Sequence, residues 1–258
     1  MSAEFPLSKS IVPRLESVAS TGSTNADLRA RADDEAGWPH LSTLITRDQT
    51  AGRGRLDRTW VAPDGAALAV SVLLRALPVD AAARGWIPLV AGAAMAAAVA
   101  AQMPGHEVAV KWPNDVLVDG RKICGILAEA TRDAVVVGAG VNTAMTTEQL
   151  PVPTATSFAA LGADVDEDRL LAAYLERLGA HVSALAANGD AVASGLHVAV
   201  TAVCATIGQE VRVSLPAGRI LEGTATALDP QGRLLVTADG AEHAISAGDV
   251  VHVRPAGS

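Results

Sequence analysis

The chain has 258 residues, half of them hydrophobic, and a formal net charge of −8. Its length suits one large domain or a main domain with a small appendage, and its apolar content excludes global disorder. The acidic balance excludes a general affinity for nucleic acid or anionic membranes, though not a local basic site.

In chain order, the N-terminus MSAEFPLSKS has no basic stretch followed by an apolar one, so no secretory signal is expected. Leu15–Ser23 leads into a helix through Ala26–Ala32, capped by Ser23 or Thr24. Leu41–Arg47 and Ala67–Arg75 read as strands, and the loop between them carries GRGRLDRTW at Gly52–Trp60. Trp86–Met103 is long and uncharged, but alanine and glycine dominate it and Pro88 sits near its start. A packed interior helix fits it better than a membrane span, because alanine contributes little to insertion. Val108–Trp112 is a short strand leading into Pro113-Asn114-Asp115. Two apolar runs, Val116–Val118 and Ile123–Ala128, flank Asp119-Gly120-Arg121-Lys122, and Asp-Gly between such runs predicts a hairpin. Ala134–Gly138 is a further buried strand, and helical spacing then covers Asp166–Ala187 and Asp190–Ala202. From Gly208 the texture changes to short alternating runs: Glu210–Leu215, Ile220–Leu228, Leu234–Ala238 and Glu242–Val253. Pro216-Ala217-Gly218, Asp229-Pro230 and Asp239-Gly240 separate them. The pattern predicts an α+β domain followed by a β-barrel appendage of about 45 residues.

Arg53, Arg55 and Arg58 stand within six residues, two of them alternating with Gly52 and Gly54. Glycine lets a backbone approach a ligand, and arginine presents planar, permanently charged donors that match carboxylates and phosphates. The pattern points to an anion clamp; a solvated loop with a few ion pairs is the plainer alternative. It is not a P-loop, because GxxxxGK[ST] is absent. Nor is it a dinucleotide fingerprint, because Asp57 occupies the third glycine position, and GAGVNT at Gly138–Thr143 fails as well. The two cysteines, Cys124 and Cys204, lack CxxC spacing and suit a reducing compartment. The six histidines show no HxxxH spacing, so no metal held by the protein alone is expected.

GSTN at Gly22–Asn25, QTAGRGR at Gln49–Arg55 with Arg58 and Trp60, KWPNDV at Lys111–Val116, GRKICGIL at Gly120–Leu127 and GAGVN at Gly138–Asn142 follow one another in that order. Each is weak alone, but the ordered set closely resembles the biotin–protein ligase family, over roughly Leu15 to Arg254. The resemblance implies a mixed β-sheet with helices, of the class II aminoacyl-tRNA synthetase/biotin ligase-like kind, in residues 15–205. It implies a C-terminal SH3-like β-barrel in residues 206–256. The implied reaction joins biotin to ATP as biotinyl-5′-AMP, then transfers the biotinyl group to a lysine of a biotin carrier domain of a carboxylase.

By match to the family's motifs, Lys122, Arg53 and Arg55 carry the catalysis. Ser23, Thr24, Asn25, Gln49, Arg53, Gly54, Arg55, Lys122 and Gly125 fall to biotin. Arg55, Arg58, Trp60, Lys111, Asn114, Asp115 and Asn142 fall to ATP, with Mg²⁺ arriving on the nucleotide. The chemistry agrees with this division. A carboxylate meeting a triphosphate brings two anions together, which fixed positive charge must offset. The ureido ring has two N–H donors and one carbonyl, and needs short neutral partners in an apolar pocket. Plainer roles stand beside these: Lys122 as a hairpin lysine, Ser23 and Thr24 as helix caps, Gly125 as a strand bulge, Asp115 as a turn cap. The chain departs from the family at Leu56-Asp57, where arginine-glycine is more usual. Losing that glycine stiffens the loop, and Asp57 partly cancels its charge. The loop is expected to be poorly ordered without ligand and to close as a lid when biotin binds.

About 15 residues precede the first strand, too few for the DNA-binding module of some family members. The C-terminal segment from Gly208 carries four arginines against six carboxylates, which also argues against DNA. A monofunctional, cytoplasmic ligase with no nucleic-acid or membrane partner is expected. The alternatives are a lipoate or octanoate ligase of the same superfamily and a non-catalytic biotin- or nucleotide-sensing protein. A homo-oligomer is neither required nor excluded by the sequence.

Overall fold

Ala67–Leu74, eight consecutive buried residues, form strand β3 inside a seven-stranded mixed sheet. The computed structural model describes residues 5–253 apart from 57, 216–218 and 247. A strand buried on both faces needs cover on both, and its neighbours supply it. The sheet order is β1 (Leu15–Ser17), β2 (Thr43–Thr46), β3, β7 (Val135–Asn142), β6 (Arg121–Ala130), β5 (Asp115–Val118) and β4 (Val108–Lys111). Only β1 and β2 pair in parallel.

The two-residue alternation of the strands divides the sheet's work. Leu68, Val70, Val72 and Leu74 of β3 join Val135, Val137, Ala139 and Val141 of β7 in the main core, with α3 (Ile87–Ala100) and α4 (Glu167–Asn188). On the opposite face Leu73 and Val136 pack with Leu28, Ala32 and Trp38, at and just beyond α2 (Thr24–Ala30). Further along that second face the side chains become small. Gly140 is registered with Ala69 and Gly125, and Gly138 with Ser71 and Leu127. A shallow floor results where the sheet would otherwise be filled.

Ten of the fourteen residues of α3 are buried, and it packs on α4 and on β4 to β7. Among the described residues Ala82–Ala100 alone has the length and hydropathy of a membrane span, yet two thirds of it lies inside the fold. Alanines allow close approach, while Leu89, Val90, Met95 and Val99 each contribute about 1.5–3 kcal/mol by burial.

The C-terminal sheet is antiparallel, in the order β11 (Ala241–Ile245), β10 (Leu234–Ala238), β9 (Ile220–Leu228), β8 (Glu210–Ser214), β12 (Asp249–His252). Among the described residues it is open, with β11 and β12 at its edges, rather than a closed barrel. Indole donors staple it to the main sheet. Trp86 Nε1 donates to Pro230 O at 2.8 Å and Trp112 Nε1 to Gly232 O at 3.0 Å.

Several boundaries differ from the sequence reading, each for a tertiary reason. Glu242–Val253 is two strands, because β11 pairs with β10 and β12 crosses to β8. Asp190–Ala202 is helical only in α5 (Leu196–Ala202), since Gly189 and Gly195 take left-handed conformations. Leu41, at φ 67°, stands outside β2. The unforeseen α1 (Pro6–Ile11) is capped from 160 residues away, by the Asp168 carboxylate accepting from Leu7 N and Ser8 N. The Asp119-Gly120 hairpin forms as expected, both residues at positive φ, but Arg121 and Lys122 belong to β6. The turn Pro216-Ala217-Gly218, Asp57 and residues 254–256 lie outside the described residues.

Candidate active site

The glycine floor is covered by three chemistry-bearing side chains, and together they shape one cavity. A methyl group on Gly138 would meet Asn25 Oδ1 at 2.5 Å, one on Gly140 would meet Trp60 Cε2 at 2.8 Å, and one on Gly125 would meet Lys122 Nζ at 3.1 Å. Gly138 and Gly140 are thus the condition for Asn25 and Trp60 to lie on the sheet, and Gly125 gives Lys122 room beside them.

One end of the cavity is mostly neutral and buried. Ser23 caps α2, accepting from Ala26 N, while Thr24 and Asn25 open its first turn. Thr24 donates from N and from Oγ1 to Gln49 Oε1, at 2.8 and 2.9 Å. Ser71 Oγ lies 2.8 Å from Thr24 Oγ1 and 2.6 Å from Asn25 Oδ1. The Thr24 proton goes to Gln49, so the single Ser71 proton serves Asn25 or the Thr24 oxygen. Asn25 Nδ2 donates to Leu127 O and to Glu129 Oε2. The helix-cap reading and the pocket reading of Gly22–Asn25 therefore both hold: Ser23 caps, and Thr24 and Asn25 carry the network.

The other end is charged. β6 has one extra residue opposite Val116/Leu117, where Cys124 faces Val116 and Lys122 faces Leu117. This bulge explains how Lys122 and Gly125, three apart, share a face. Lys122 Nζ lies 2.6 Å from Asp115 Oδ1, the carboxylate of the residue paired with Gly125. The contact is a close ion pair without hydrogen-bond alignment. Asn114 Nδ2 donates to Ile126 O and its Oδ1 accepts from Arg55 Nη1, so the Lys111–Asp115 turn anchors the arginine loop.

That loop is a narrow hairpin. Gly52 O accepts from Trp60 N, Arg53 bridges Thr59, and Gly54 N donates to Arg58 O at 2.7 Å. Leu56 stands at its tip at φ 54°, a conformation that favours glycine, with its side chain 65% exposed. Each arginine has a partner: Arg53 with Glu129, Arg55 with Asn114 and Gly248 O, Arg58 with Asp249.

Burial lowers the Arg55 guanidinium, opposed by Asp115 and Asp249, but arginine stays charged. Burial also pulls the Lys111 ammonium down, against the same two carboxylates. The hydrogen bond from Arg58 holds the Asp249 carboxyl below its ordinary range. Cys124, beneath Lys122, is pushed up to about 12 by burial and is no nucleophile.

Of the residues the sequence singled out, Ser23, Thr24, Asn25, Gln49, Arg53, Gly54, Arg55, Arg58, Trp60, Asn114, Asp115, Lys122 and Gly125 line this cavity. Two do not. Lys111 stands beside Asp115 on the paired strand and is not among the cavity-lining residues. Asn142 turns its amide to Thr156 O at 2.9 Å and is buried at the end of β7. Sequence reasoning missed Ser71, which completes the neutral network, Glu129, which joins Asn25 to Arg29 and Arg53, and Asp249, which arrives from the C-terminal sheet. The period-2 face of β3 and β6 could have given Ser71 and Glu129; no local pattern gives Asp249.

Residues 17–142 match the Biotin/lipoate A/B protein ligase family, and residues 206–253 the Biotin protein ligase C terminal domain. The chain is 42% identical, over 244 residues, to the biotin–[acetyl-CoA-carboxylase] ligase of Mycobacterium tuberculosis, covering 93% of this chain and 90% of that one. The biotin protein ligase of Aquifex aeolicus, solved with biotin and ATP, superposes with a TM-score of 0.76 at 24% identity, over 95% of this chain and all of that one. That of Leishmania major with biotin gives a TM-score of 0.62 at 26% identity, over 92% and 99%.

Proposed function

The chain belongs to the biotin protein ligase family, a ligase that activates biotin with ATP and passes the biotinyl group to a carrier lysine, and we propose how its cavity divides that work. The carrying observation is that a buried neutral pocket and a cluster of cations open into one cavity and meet at Lys122.

In this reading the ureido ring sits against Ser23, Thr24, Asn25 and Gln49, whose amide and hydroxyl groups supply the acceptors and donors it needs. The apolar chain runs along the cavity that Asn25, Trp60 and Lys122 shape above the glycine floor, and the carboxylate points to Lys122, Arg53 and Arg55. Arg55, Arg58, Trp60, Asn114 and Asp115 face the nucleotide. A carboxylate oxygen forms a bond to the α-phosphorus, and the bond from that phosphorus to the bridging oxygen of the β-phosphate breaks. Pyrophosphate leaves with the electron pair. Lys122 follows the charge as the carboxylate becomes a mixed anhydride, and the arginines hold the phosphates. A neutral lysine amine of the acceptor then attacks the carbonyl, its surplus proton is lost, and AMP departs.

Asp115, with a buried oxygen that pairs with Lys122 and has no hydrogen-bond partner among the described residues, is the residue that would meet a magnesium ion on the nucleotide. Such an ion supplies neutralisation of the triphosphate. Lys111 supports Asp115 by charge from the paired strand, and Asn142 fastens the end of β7 rather than touching ATP. We class residues 206–256 with SH3-like barrels, on their short meandering strands, and residues 15–205 as the catalytic unit. Both cysteines are free and buried, which suits the cytoplasm.

Pyrophosphate exchange tests the reading directly. Exchange with ATP is expected to need biotin; exchange without biotin, or equal exchange with lipoate, would overturn it.

A further inference from the structure

The C-terminal sheet touches the charged end at one place, the start of β12. Gly248 O accepts from Arg55 Nη2 at 3.1 Å, and the Asp249 carboxylate takes both terminal nitrogens of Arg58, Nη1 at 3.2 Å. The reach is built into the fold. β12 is held by β8, and a methyl group on Gly248 would stand 2.8 Å from Val213 Cγ1, so only glycine lets this corner close. Gly54 N also donates to Arg58 O, so holding Arg58 holds the far limb of the loop.

The two carboxylates that flank the loop are unlike. Glu129, which meets Arg53, also accepts from Arg29 Nη1 at 2.9 Å and Asn25 Nδ2 at 2.8 Å. It keeps partners when Arg53 leaves. Asp249 has Arg58 as its hydrogen-bond partner among the described residues, in a two-pronged geometry that fixes the guanidinium plane.

We infer that Asp249 is a positioning residue for the reaction: with the Gly248 carbonyl it holds Arg58 and Arg55 toward the nucleotide phosphates, while Arg53 is left free to change partners. The C-terminal sheet is then part of the nucleotide site. This rests on the biotin ligase reading.

The test compares wild type, Asp249→Ala and Asp249→Glu in the full chain. Asp249→Ala is expected to raise the KM for ATP about fivefold while the KM for biotin stays within about twofold, with Asp249→Glu recovering most of the loss. In the ligand-free protein, trypsin is expected to cut after Arg55 and Arg58 faster in Asp249→Ala than in wild type. An unchanged ATP KM overturns the inference, as does a parallel rise in both KM values with a lowered Tm. If the wild type shows no biotin-dependent exchange, the functional reading fails; unchanged trypsin cleavage in Asp249→Ala would then overturn this inference separately.

Discussion

At the α2 end of the cavity Ser23, Thr24 and Asn25 are each at most 6% exposed, and their polar groups already have partners in Ala26 N, Gln49, Ser71, Leu127 O and Glu129. At the other end Lys122 and Arg58 leave 44% and 62% of their side chains in solvent, held by single carboxylates. On the proposed reading the neutral end is hydrogen-bonded before any ligand arrives, and a ligand that cannot take over those bonds leaves buried donors and acceptors unmatched. The charged end works the other way. Its cations must stay near neutral cost in water when empty, then exchange a resident carboxylate for a substrate anion. On that proposal selectivity belongs to the first and rate to the second.

The sharpest way to break that division is at Lys122. Lys122→Met is expected to lower kcat for pyrophosphate exchange by about 10²- to 10³-fold, the usual loss for one donor to developing charge. Its ammonium is half-exposed and pairs with a single carboxylate, so thermal unfolding is expected to stay near that of wild type. A loss below tenfold would show that the arginines suffice. At the opposite end Asn25→Ala removes one of the two partners of Ser71 Oγ and the side-chain donor to Leu127 O, and is expected to cost about 1–3 kcal/mol of stability. Its biotin KM is expected to rise with kcat little changed. A kcat defect larger than the KM defect would blur the two ends.

Gly140→Ala asks a finer question. Its methyl group would press on the Trp60 ring, which cannot retreat into the sheet, and moves the indole off the floor. About tenfold weaker ATP binding is expected, with biotin affinity less affected, measured by isothermal titration. Equal losses for both ligands would place Trp60 at the neutral end.

How much of this was legible beforehand follows the same divide. The motifs around Ser23, Gln49, Arg53, Arg55, Lys122 and Asp115 are contiguous in sequence, and the fold gathers them where adjacent strands β6 and β7 and the loop after β2 converge. Lys122 could be chosen from its motif, but its facing direction depends on a bulge opposite Val116/Leu117, and a one-residue insertion in pairing leaves no trace in composition. Asn142 lies away from the cavity lining because a residue at a strand end points to whichever side has a partner, here Thr156 O, fourteen residues on. Asp249 was invisible because its partner lies 191 residues away. Short-range pattern reads floors and loops; it does not read what a second sheet brings to them.

The smallest expected effect concerns that second sheet. His252, on β12 with Nε2 3.2 Å from Thr206 Oγ1, is lowered to about 4 by burial and by Lys111. An ordinary histidine near 6.5 in the unfolded chain takes a proton first as pH falls. Its contribution to stability is therefore complete above about pH 6.5 and lost progressively toward pH 4. His40 and His181, also lowered by burial, act in the same direction elsewhere, so the total acid sensitivity is shared. His252→Gln isolates the junction: its Tm is expected to fall less than wild type between pH 7 and pH 5, by on the order of 2 °C. Because β12 also carries Asp249, the same acidification is expected to raise the ATP KM of wild type more than that of His252→Gln, while the biotin KM moves equally in both. Identical pH profiles for the two proteins would mean that the charged end does not lean on the C-terminal sheet through this histidine.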